Sequence, residues 1–173
     1  EATASIDFQH PPARHHQLII RELERLERGE IRRLMILAPP GSAKSTYCSI
    51  QYPLWHLARA PQENILCASN SQELAENFNR RRRNLALTPQ WMALSQTKLA
   101  EDLQGAGHFG TQRQGGVRAA GVGSSIVGFR SHLNVLDDPI RGHEEALSSS
   151  ALDKQWDWFH SEFRARLVPS GRE

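Results

Sequence analysis

The sequence predicts an α/β fold in which a mainly parallel central sheet is flanked by helices, and three observations support that prediction. Short apolar runs of strand length occur at 34–37, 65–68 and 133–136. Apolar residues recur at helical spacing before the first run and after the first and second runs. Alternating strands and helices favour parallel strands joined by helical crossovers.

The first two helices flank the run at 34–37. Apolar residues at helical spacing between Pro12 and Gly29 predict the first helix, because proline suits a helix start and glycine a helix end. The second is predicted over 47–57. We expect it to kink or break at Pro53, which lacks the N–H that a helix interior needs.

A third helix is predicted after the strand at 65–68. Asn70 and Glu73 have the spacing of a capping box at its start. Its buried face is predicted to carry Leu74, Phe78 and Leu85.

The rest of the chain is less regular until the run at 133–136. Glycines concentrate between residues 105 and 128, which predicts hairpin turns and a long loop. A last helix is predicted with Ser150 and Asp153 at its cap. The apolar stripe that we expect it to bury is Leu152, Trp156, Phe159, Phe163 and Leu167.

Composition predicts one globular domain over residues 1–173, with a formal net charge of +2 that is no strong indication of nucleic-acid binding. Cys48 and Cys67 lack a zinc-site spacing, so we expect reduced core thiols, as in a cytoplasmic protein. No apolar run is long enough to predict a membrane span. The chain does not begin with Met, and we expect it to be part of a longer protein.

Residues 38–46 have the pattern of a phosphate-binding loop. In the motif G-x-x-x-x-G-K-[ST], Lys44 and Ser45 stand at the lysine and magnesium-hydroxyl positions. Alanine replaces both motif glycines, at Ala38 and Ala43. Gly41 is therefore expected to take the left-handed turn.

The loop is expected to bind phosphate through backbone N–H groups where it enters the helix. Gln17 is a candidate for contact with the adenine edge, and a solvated surface glutamine is the alternative. The loop residues assigned to nucleotide binding are Pro40, Gly41, Ser42, Ala43, Lys44, Ser45 and Thr46.

Two carboxylates follow the strand at 133–136. Asp137 is the expected magnesium ligand opposite Ser45, usually through water. Asp138 is expected to orient the attacking water, although it is one methylene shorter than a glutamate. Glu144 or Glu145 is the alternative for that role, and a turn cap before proline is the alternative for Asp138. Together with the loop, these carboxylates predict an ATPase that uses ATP and Mg²⁺.

An arginine is expected to neutralise charge at the γ-phosphate, and a neighbouring subunit can supply such a residue. Arg130 is the first candidate for this catalytic role, and Arg118 is the second. A solvated surface arginine is the alternative in both cases.

An ordered series of motifs over roughly residues 15 to 171 resembles the N-terminal ATPase domain of the large terminase subunit of tailed bacteriophages. The series is Ala38-Pro-Pro-Gly-Ser-Ala-Lys-Ser-Thr, Ala68-Ser-Asn-Ser, Gly128-Phe-Arg, Asp137-Asp-Pro-Ile, Glu144-Glu-Ala, Trp156-Asp-Trp-Phe and Arg166-Leu-Val-Pro-Ser-Gly.

The resemblance implies a P-loop NTPase of the RecA-like, additional-strand type that drives double-stranded viral DNA into a procapsid. It implies a homo-oligomeric ring on the portal protein, a small terminase subunit as partner, and the host bacterial cytoplasm as location. By this resemblance Lys44, Ser45 and Thr46 contact phosphates and Mg²⁺. Asp137 is the Walker B aspartate, and Arg130 a finger acting on a neighbour.

Two departures from the family pattern qualify the resemblance. Asp138 stands where the family commonly has glutamate. The motif that couples hydrolysis to movement is expected in a strand after Glu173, and the nuclease carboxylates are missing, so no DNA cleavage is expected.

Two other functions fit the same motifs: a RecA- or helicase-type DNA-dependent ATPase, and a nucleotide-binding assembly module that does not hydrolyse. Arg80–Arg83 is a candidate contact with DNA phosphates, although consecutive helical residues point in different directions.

Overall fold

A computed structural model describes residues 11–95 and 97–173 and confirms the α/β class. Six strands form one sheet in the order β2-β3-β4-β1-β5-β6. Strands β4, β1, β5 and β6 are parallel, and β3 and β2 extend the sheet in antiparallel fashion. The strands are β1 Asn64–Ser69, β2 Leu99–Gln104, β3 His108–Thr111, β4 Gly116–Gly121, β5 Ser131–Asp137 and β6 Leu167–Arg172.

Helices cover both faces of this sheet. The α-helices are α1 Arg14–Glu27, α2 Tyr52–Arg59, α3 Gln72–Ala86, α4 Pro89–Ser95, α5 Gly142–Leu147 and α6 Ser149–Trp158. π-helical segments at Thr46–Gln51 and Phe159–Phe163 adjoin α2 and α6, and a 3₁₀ turn at Arg164–Arg166 leads into β6. Among the described residues, no helix combines the length and apolarity needed to cross a membrane.

Strand β1 shows how the sheet separates two cores. Ile65 and Cys67 face a core formed with α1, α2 and α4, whereas Leu66 and Ala68 face a second core on the other side. Successive side chains of a strand point to opposite faces, so a strand buried on both sides reads as a continuous apolar run. This is why the sequence identified β1 correctly.

The helix after the loop contains a π-helical segment before Pro53, and the break considered at the proline does not occur. The helix that follows the loop begins at Lys44, widens over Thr46–Gln51 and continues as α2. The Tyr52 N–H donates to the Tyr47 carbonyl, five residues back. The chain passes the proline without a break, because the wider turn precedes the residue that cannot donate.

The expectation that the run at 34–37 forms a strand of the sheet is wrong. Pairing stops at its first residue, where the Leu34 N–H donates to the Glu173 carbonyl and the Glu173 N–H donates to the Arg32 carbonyl. The register of β6 ends at Leu133 of β5. No described strand therefore lies beside residues 35–37, and Met35 is 83% exposed.

Helix α3 forms as expected, but its cap and buried face are each displaced by one residue. Ser71 is the N-cap in place of Asn70, and its side chain accepts from the Leu74 N–H. The buried residues are Ala75, Asn79, Arg82 and Ala86, in place of Leu74, Phe78 and Leu85.

The buried polar residues of α3 explain this displacement, because each makes specific hydrogen bonds. The Asn79 amide donates to the Ala106 and Val117 carbonyls. The Arg82 guanidinium donates to the Ser49 carbonyl and to the Asn79 side chain. Apolar periodicity alone cannot anticipate a helix face that is buried through polar partners.

The last helix also differs from expectation. Ser148 is its N-cap in place of Ser150, and its hydroxyl accepts from the Ala151 N–H. Trp158 and Phe163 are buried, whereas Trp156 is 63% exposed. The π-helical segment shifts the buried face, and Leu167 begins β6.

The two cysteines are free thiols, as expected, but they differ in burial. Cys67 is buried and Cys48 is half-buried.

Candidate functional site

Two residues of the candidate phosphate loop have the left-handed backbone conformation. Gly41 has φ +79°, which confirms the expectation for the turn, and Ala43 has φ +57°. The Ser42 N–H donates to the Pro39 carbonyl over 3.2 Å and closes the turn. A left-handed alanine costs about 1–2 kcal/mol relative to its usual conformation. The loop therefore holds Ala43 against its own preference.

The first helix presents His16 to this loop, a residue that the sequence did not indicate. His16 Nε2 lies 3.0 Å from the Ser42 carbonyl oxygen, and the ring stacks on Tyr47 with centroids 4.6 Å apart. Gln17 lies next to it but is exposed, and its amide donates to the Pro12 carbonyl over 3.0 Å. The structure therefore brings His16 to the loop and does not bring Gln17.

The two aspartates meet the loop at the carboxyl ends of the parallel strands. Asp137 is the last residue of β5 and is paired in register with Ser69, the last residue of β1. Its side chain is 6% exposed, whereas that of Asp138 is 64% exposed. Asp138 has φ +42°, and the Asn70 amide donates to its backbone carbonyl over 3.1 Å. Asn70 thus anchors the backbone of Asp138, the first residue after the strand.

Lys44 joins the loop to both carboxylates. Its Nζ lies 3.4 Å from Asp137 Oδ1 and also donates to Asp138 Oδ1. Burial lowers the pKa of Lys44, but the contact with Asp138 and the charge of Asp137 outweigh it, so its pKa is raised. The Lys44 side chain therefore stays protonated and is placed to hold an anion beside two carboxylates.

Buried polar atoms of the loop and of the paired strand ends lack a hydrogen-bond partner among the described residues. They include Ser42 Oγ in the loop, and Ser69 Oγ and Asp137 Oδ2 at the ends of β1 and β5. A buried polar atom without a partner is costly, so these atoms fit groups that bind a ligand. Asp137 Oδ2 fits a magnesium ion that Ser45 and phosphate oxygens would complete.

The described residues contain no group of three or more His, Cys, Asp or Glu side chains placed to hold a metal ion. A magnesium site made from one carboxylate, one hydroxyl and phosphate oxygens does not require such a group. Cys48 and Lys44 line the same cavity. Burial, and to a smaller extent the charge of Asp137, raises the pKa of the Cys48 thiol to about 12. This thiol is therefore neutral at ordinary pH.

The structure does not bring the two candidate arginines to Lys44 of the same chain. Arg130 precedes the seven-residue strand β5, so roughly 20 Å separate it from Asp137 at the other end. Its guanidinium donates to the Ala165 carbonyl over 3.1 Å. Arg118 lies within β4, with its guanidinium 5.5 Å from the centre of the Phe129 ring.

The alternative carboxylates lie in α5. Glu145 accepts from the Arg141 N–H at the start of that helix, and Glu144 is exposed. Of the three carboxylates considered for orienting water, Asp138 is the one that the structure shows in contact with Lys44.

The arginine run on α3 is not a uniform basic surface. Arg82 is 1% exposed, so the expectation that it could contact DNA phosphates is wrong. Arg83 is half-buried and donates to the Gln104 carbonyl over 2.9 Å. Arg80 and Arg81 face solvent.

Comparison with protein-family models gave no match, and a search of curated proteins gave none either.

Proposed function

We propose that the chain is an ATP-hydrolysing P-loop NTPase domain of RecA-like type that moves double-stranded DNA into a viral procapsid. The observation that supports this most strongly is the meeting of Lys44 with Asp137 and Asp138. A loop lysine between a buried and an exposed carboxylate is the arrangement that phosphoryl transfer needs. The cation binds phosphate, one acid binds Mg²⁺, and the other directs water.

The sheet order supports the RecA-like, additional-strand type. Strand β6 is parallel to β5 and pairs at Arg32 and Leu34 with the segment that leads into the loop. A strand between the loop segment and the Asp137 strand is what the additional-strand type requires.

The chain's own residues would divide the chemistry as follows. The N–H groups from Ala43 to Thr46 and the Lys44 ammonium bind the phosphates, and Ser45 and Asp137 hold Mg²⁺. When bound, Mg²⁺ neutralises charge that develops on the phosphate oxygens. Phosphate at Lys44 competes with Asp138 for the ammonium, so the exposed Asp138 carboxylate becomes available to orient water.

The placement of Arg130 supports a site shared between subunits. Arg130 lies at the opposite end of β5 from Asp137, so it can act as a finger only on a neighbour. This fits a homo-oligomeric ring on a portal protein, with a small terminase subunit, in the host bacterial cytoplasm.

The first test is steady-state ATP hydrolysis over a range of protein concentrations, with and without duplex DNA. We expect specific activity to rise with concentration, and to rise further with duplex DNA. Lys44→Ala should abolish turnover because the phosphates lose their cation, whereas Lys98→Ala, at an exposed lysine, should leave it unchanged. Undiminished turnover in Lys44→Ala would refute the site.

The second candidate is a nucleotide-binding assembly module without turnover. The strain at Ala43 and the short side chain of Asp138 favour it. Tight Mg-ATP binding with no hydrolysis at any protein concentration would identify that module. Stimulation by single-stranded rather than duplex DNA would instead identify a RecA- or helicase-type ATPase.

A further inference from the structure

His16 contacts the start of its own helix, the middle of the phosphate loop and the helix that follows the loop. The Ala13 N–H donates to His16 Nδ1 over 3.2 Å, and His16 Nε2 lies 3.0 Å from the Ser42 carbonyl oxygen. The ring also stacks on Tyr47, at an interplanar angle of 30°. The side chain thus contacts the loop before Lys44 and the helix after it.

These contacts select one tautomer of the neutral ring. Nδ1 accepts from a backbone N–H, so it carries no proton. Nε2 therefore carries the proton of the neutral imidazole and donates it to the Ser42 carbonyl. Both ring nitrogens are used in this single tautomer.

The hydrogen bond from His16 to the Ser42 carbonyl fixes the direction of the next N–H in the chain, that of Ala43. The Ser42–Ala43 peptide is trans, and in a trans peptide the C=O and N–H point in opposite directions. Holding the carbonyl toward His16 therefore holds the Ala43 N–H away from it. That N–H is one of the phosphate donors of the proposed function.

The same hydrogen bond also constrains the unfavourable backbone conformation of Ala43. Ala43 has φ +57°, a conformation that alanine disfavours. Rotation of the Ser42–Ala43 peptide would let Ala43 return to a negative φ and would turn its N–H. A carbonyl anchored on a side chain from α1 prevents that rotation.

We propose that His16 is a positioning residue that holds the phosphate loop in its anion-binding conformation. This inference rests on the proposed function, because the anion is the phosphate group of the nucleotide. It assigns to α1 a role in nucleotide affinity through the loop backbone, without contact between His16 and the nucleotide.

The test compares Mg-ADP affinity, by titration calorimetry, in four variants and the parent chain. His16→Ala should weaken binding on the order of tenfold, through loss of one hydrogen bond and release of Ala43. His16→Gln can donate an amide N–H to the Ser42 carbonyl and should recover most of that loss. Arg21→Ala, at an exposed residue of the same helix, is the control and should bind like the parent.

The fourth variant is Ala43→Gly in the His16→Ala background. Glycine adopts positive φ without the alanine penalty, so this change should recover much of the affinity lost in His16→Ala. Steady-state kinetics should show the His16→Ala defect as a raised KM, with kcat nearly unchanged.

Amide hydrogen exchange without nucleotide tests the loop-holding role separately. His16→Ala should speed exchange between Ser42 and Tyr47 and leave strand β1 unchanged. A parent chain that binds no nucleotide would refute the proposed function. Equal affinity and equal exchange in His16→Ala and the parent would refute the role of His16, whether or not ATP is hydrolysed. Equal losses in Arg21→Ala would refute it as well.

Discussion

Two adjacent aspartates have different environments, and this difference assigns them different chemistry. Asp137 ends a paired strand and is buried, with one oxygen near Lys44 and the other without a partner among the described residues. Asp138 has left the strand, is largely exposed and contacts the same lysine. A buried carboxylate suits a fixed metal ligand, and an exposed one can exchange its partner for water.

Asp138→Asn should preserve Mg-ATP binding and reduce hydrolysis by roughly 100-fold or more, because an amide cannot accept the proton of the attacking water. Titration calorimetry measures the binding, and single-turnover kinetics measure the chemical step. Asp153→Asn, an exposed aspartate of α6, is the control.

Hydrolysis at the parent rate in Asp138→Asn would indicate that a carboxylate of α5 orients the attacking water. Glu144→Gln and Glu145→Gln, each tested in the Asp138→Asn background, would then show which side chain orients the water.

At the scale of elements, a buried histidine ties α2 to α1 and to the start of β1. His56 is 1% exposed, with Nδ1 2.9 Å from Glu27 Oε2 and Nε2 3.1 Å from Glu63 Oε2. The second pair is within ion-pair distance but lacks hydrogen-bond alignment. Burial lowers the pKa of His56, but the two carboxylates outweigh it and raise the pKa above 6.5.

This cluster predicts how stability depends on pH. The His56 contribution is fully present below pH 6.5 and is lost as pH rises through its raised folded pKa. Burial raises the pKa of Glu27, but His56 outweighs it, and contact with His56 lowers the pKa of Glu63. Their contribution is present above pH 4.5 and is lost as pH falls through the lowered values.

Urea unfolding at pH 5 to 9 checks this expectation. The free energy of unfolding should fall as pH rises above 6.5, and His56→Gln should flatten that fall. His143→Gln, at an exposed histidine, should leave it intact. The same fall in His56→Gln as in the parent would show that another group causes it.

The arginine run on α3 predicts a contrast between neighbours on one helix. Arg82→Ala leaves a cavity and removes the donor to the Ser49 carbonyl, so it should cost on the order of 3 kcal/mol of unfolding free energy. Arg80→Ala, at an exposed residue, should change it by less than about 0.5 kcal/mol. Equal chemical-denaturation midpoints in the two variants would contradict the burial of Arg82.

The elements that the sequence predicted correctly carry one simple signal each. Strand β1 contains a continuous apolar run, β5 contains the mainly apolar stretch at 133–136, and α1 has a regular apolar face between proline and glycine. Errors arose where polar groups determine burial, as for Asn79 and Arg82. They also arose where a π-helical turn shifts a face, as before Phe163.

The candidate site was predictable in the same uneven way. Local spacing placed Lys44 in the loop and Asp137 at a strand end, and parallel pairing brought them together. His16 was missed because its contact with Ser42 spans 26 residues of sequence. No local pattern marks such a contact.

At the scale of the whole molecule, the segment at 34–37 presents exposed apolar side chains without pairing to a described strand beyond Leu34. It borders a groove of about 650 Å³ next to α1, together with the phosphate loop. Leu18, Met35 and Leu37 are 56%, 83% and 88% exposed. Unpaired backbone with apolar side chains is a template for association between chains.

Met35→Lys should therefore reduce light scattering at high protein concentration, because a charge on an edge segment opposes pairing with another chain. Its free energy of unfolding should change by less than about 0.5 kcal/mol, since the side chain is exposed. Leu147→Lys, at a residue of α5 that is 73% exposed, is the control. Equal scattering in the two variants would show that the segment is not the cause.

The register of β5 on β1 also determines which changes of chain length the protein can tolerate. Asp137 lies opposite Ser69, and the strand alternates faces with a period of two. Deleting one residue within β5 would bring Asp138 to the position opposite Ser69. The residues between the deletion and Asp138 would then face the opposite side of the sheet. A deletion there would damage the site as severely as a substitution in it.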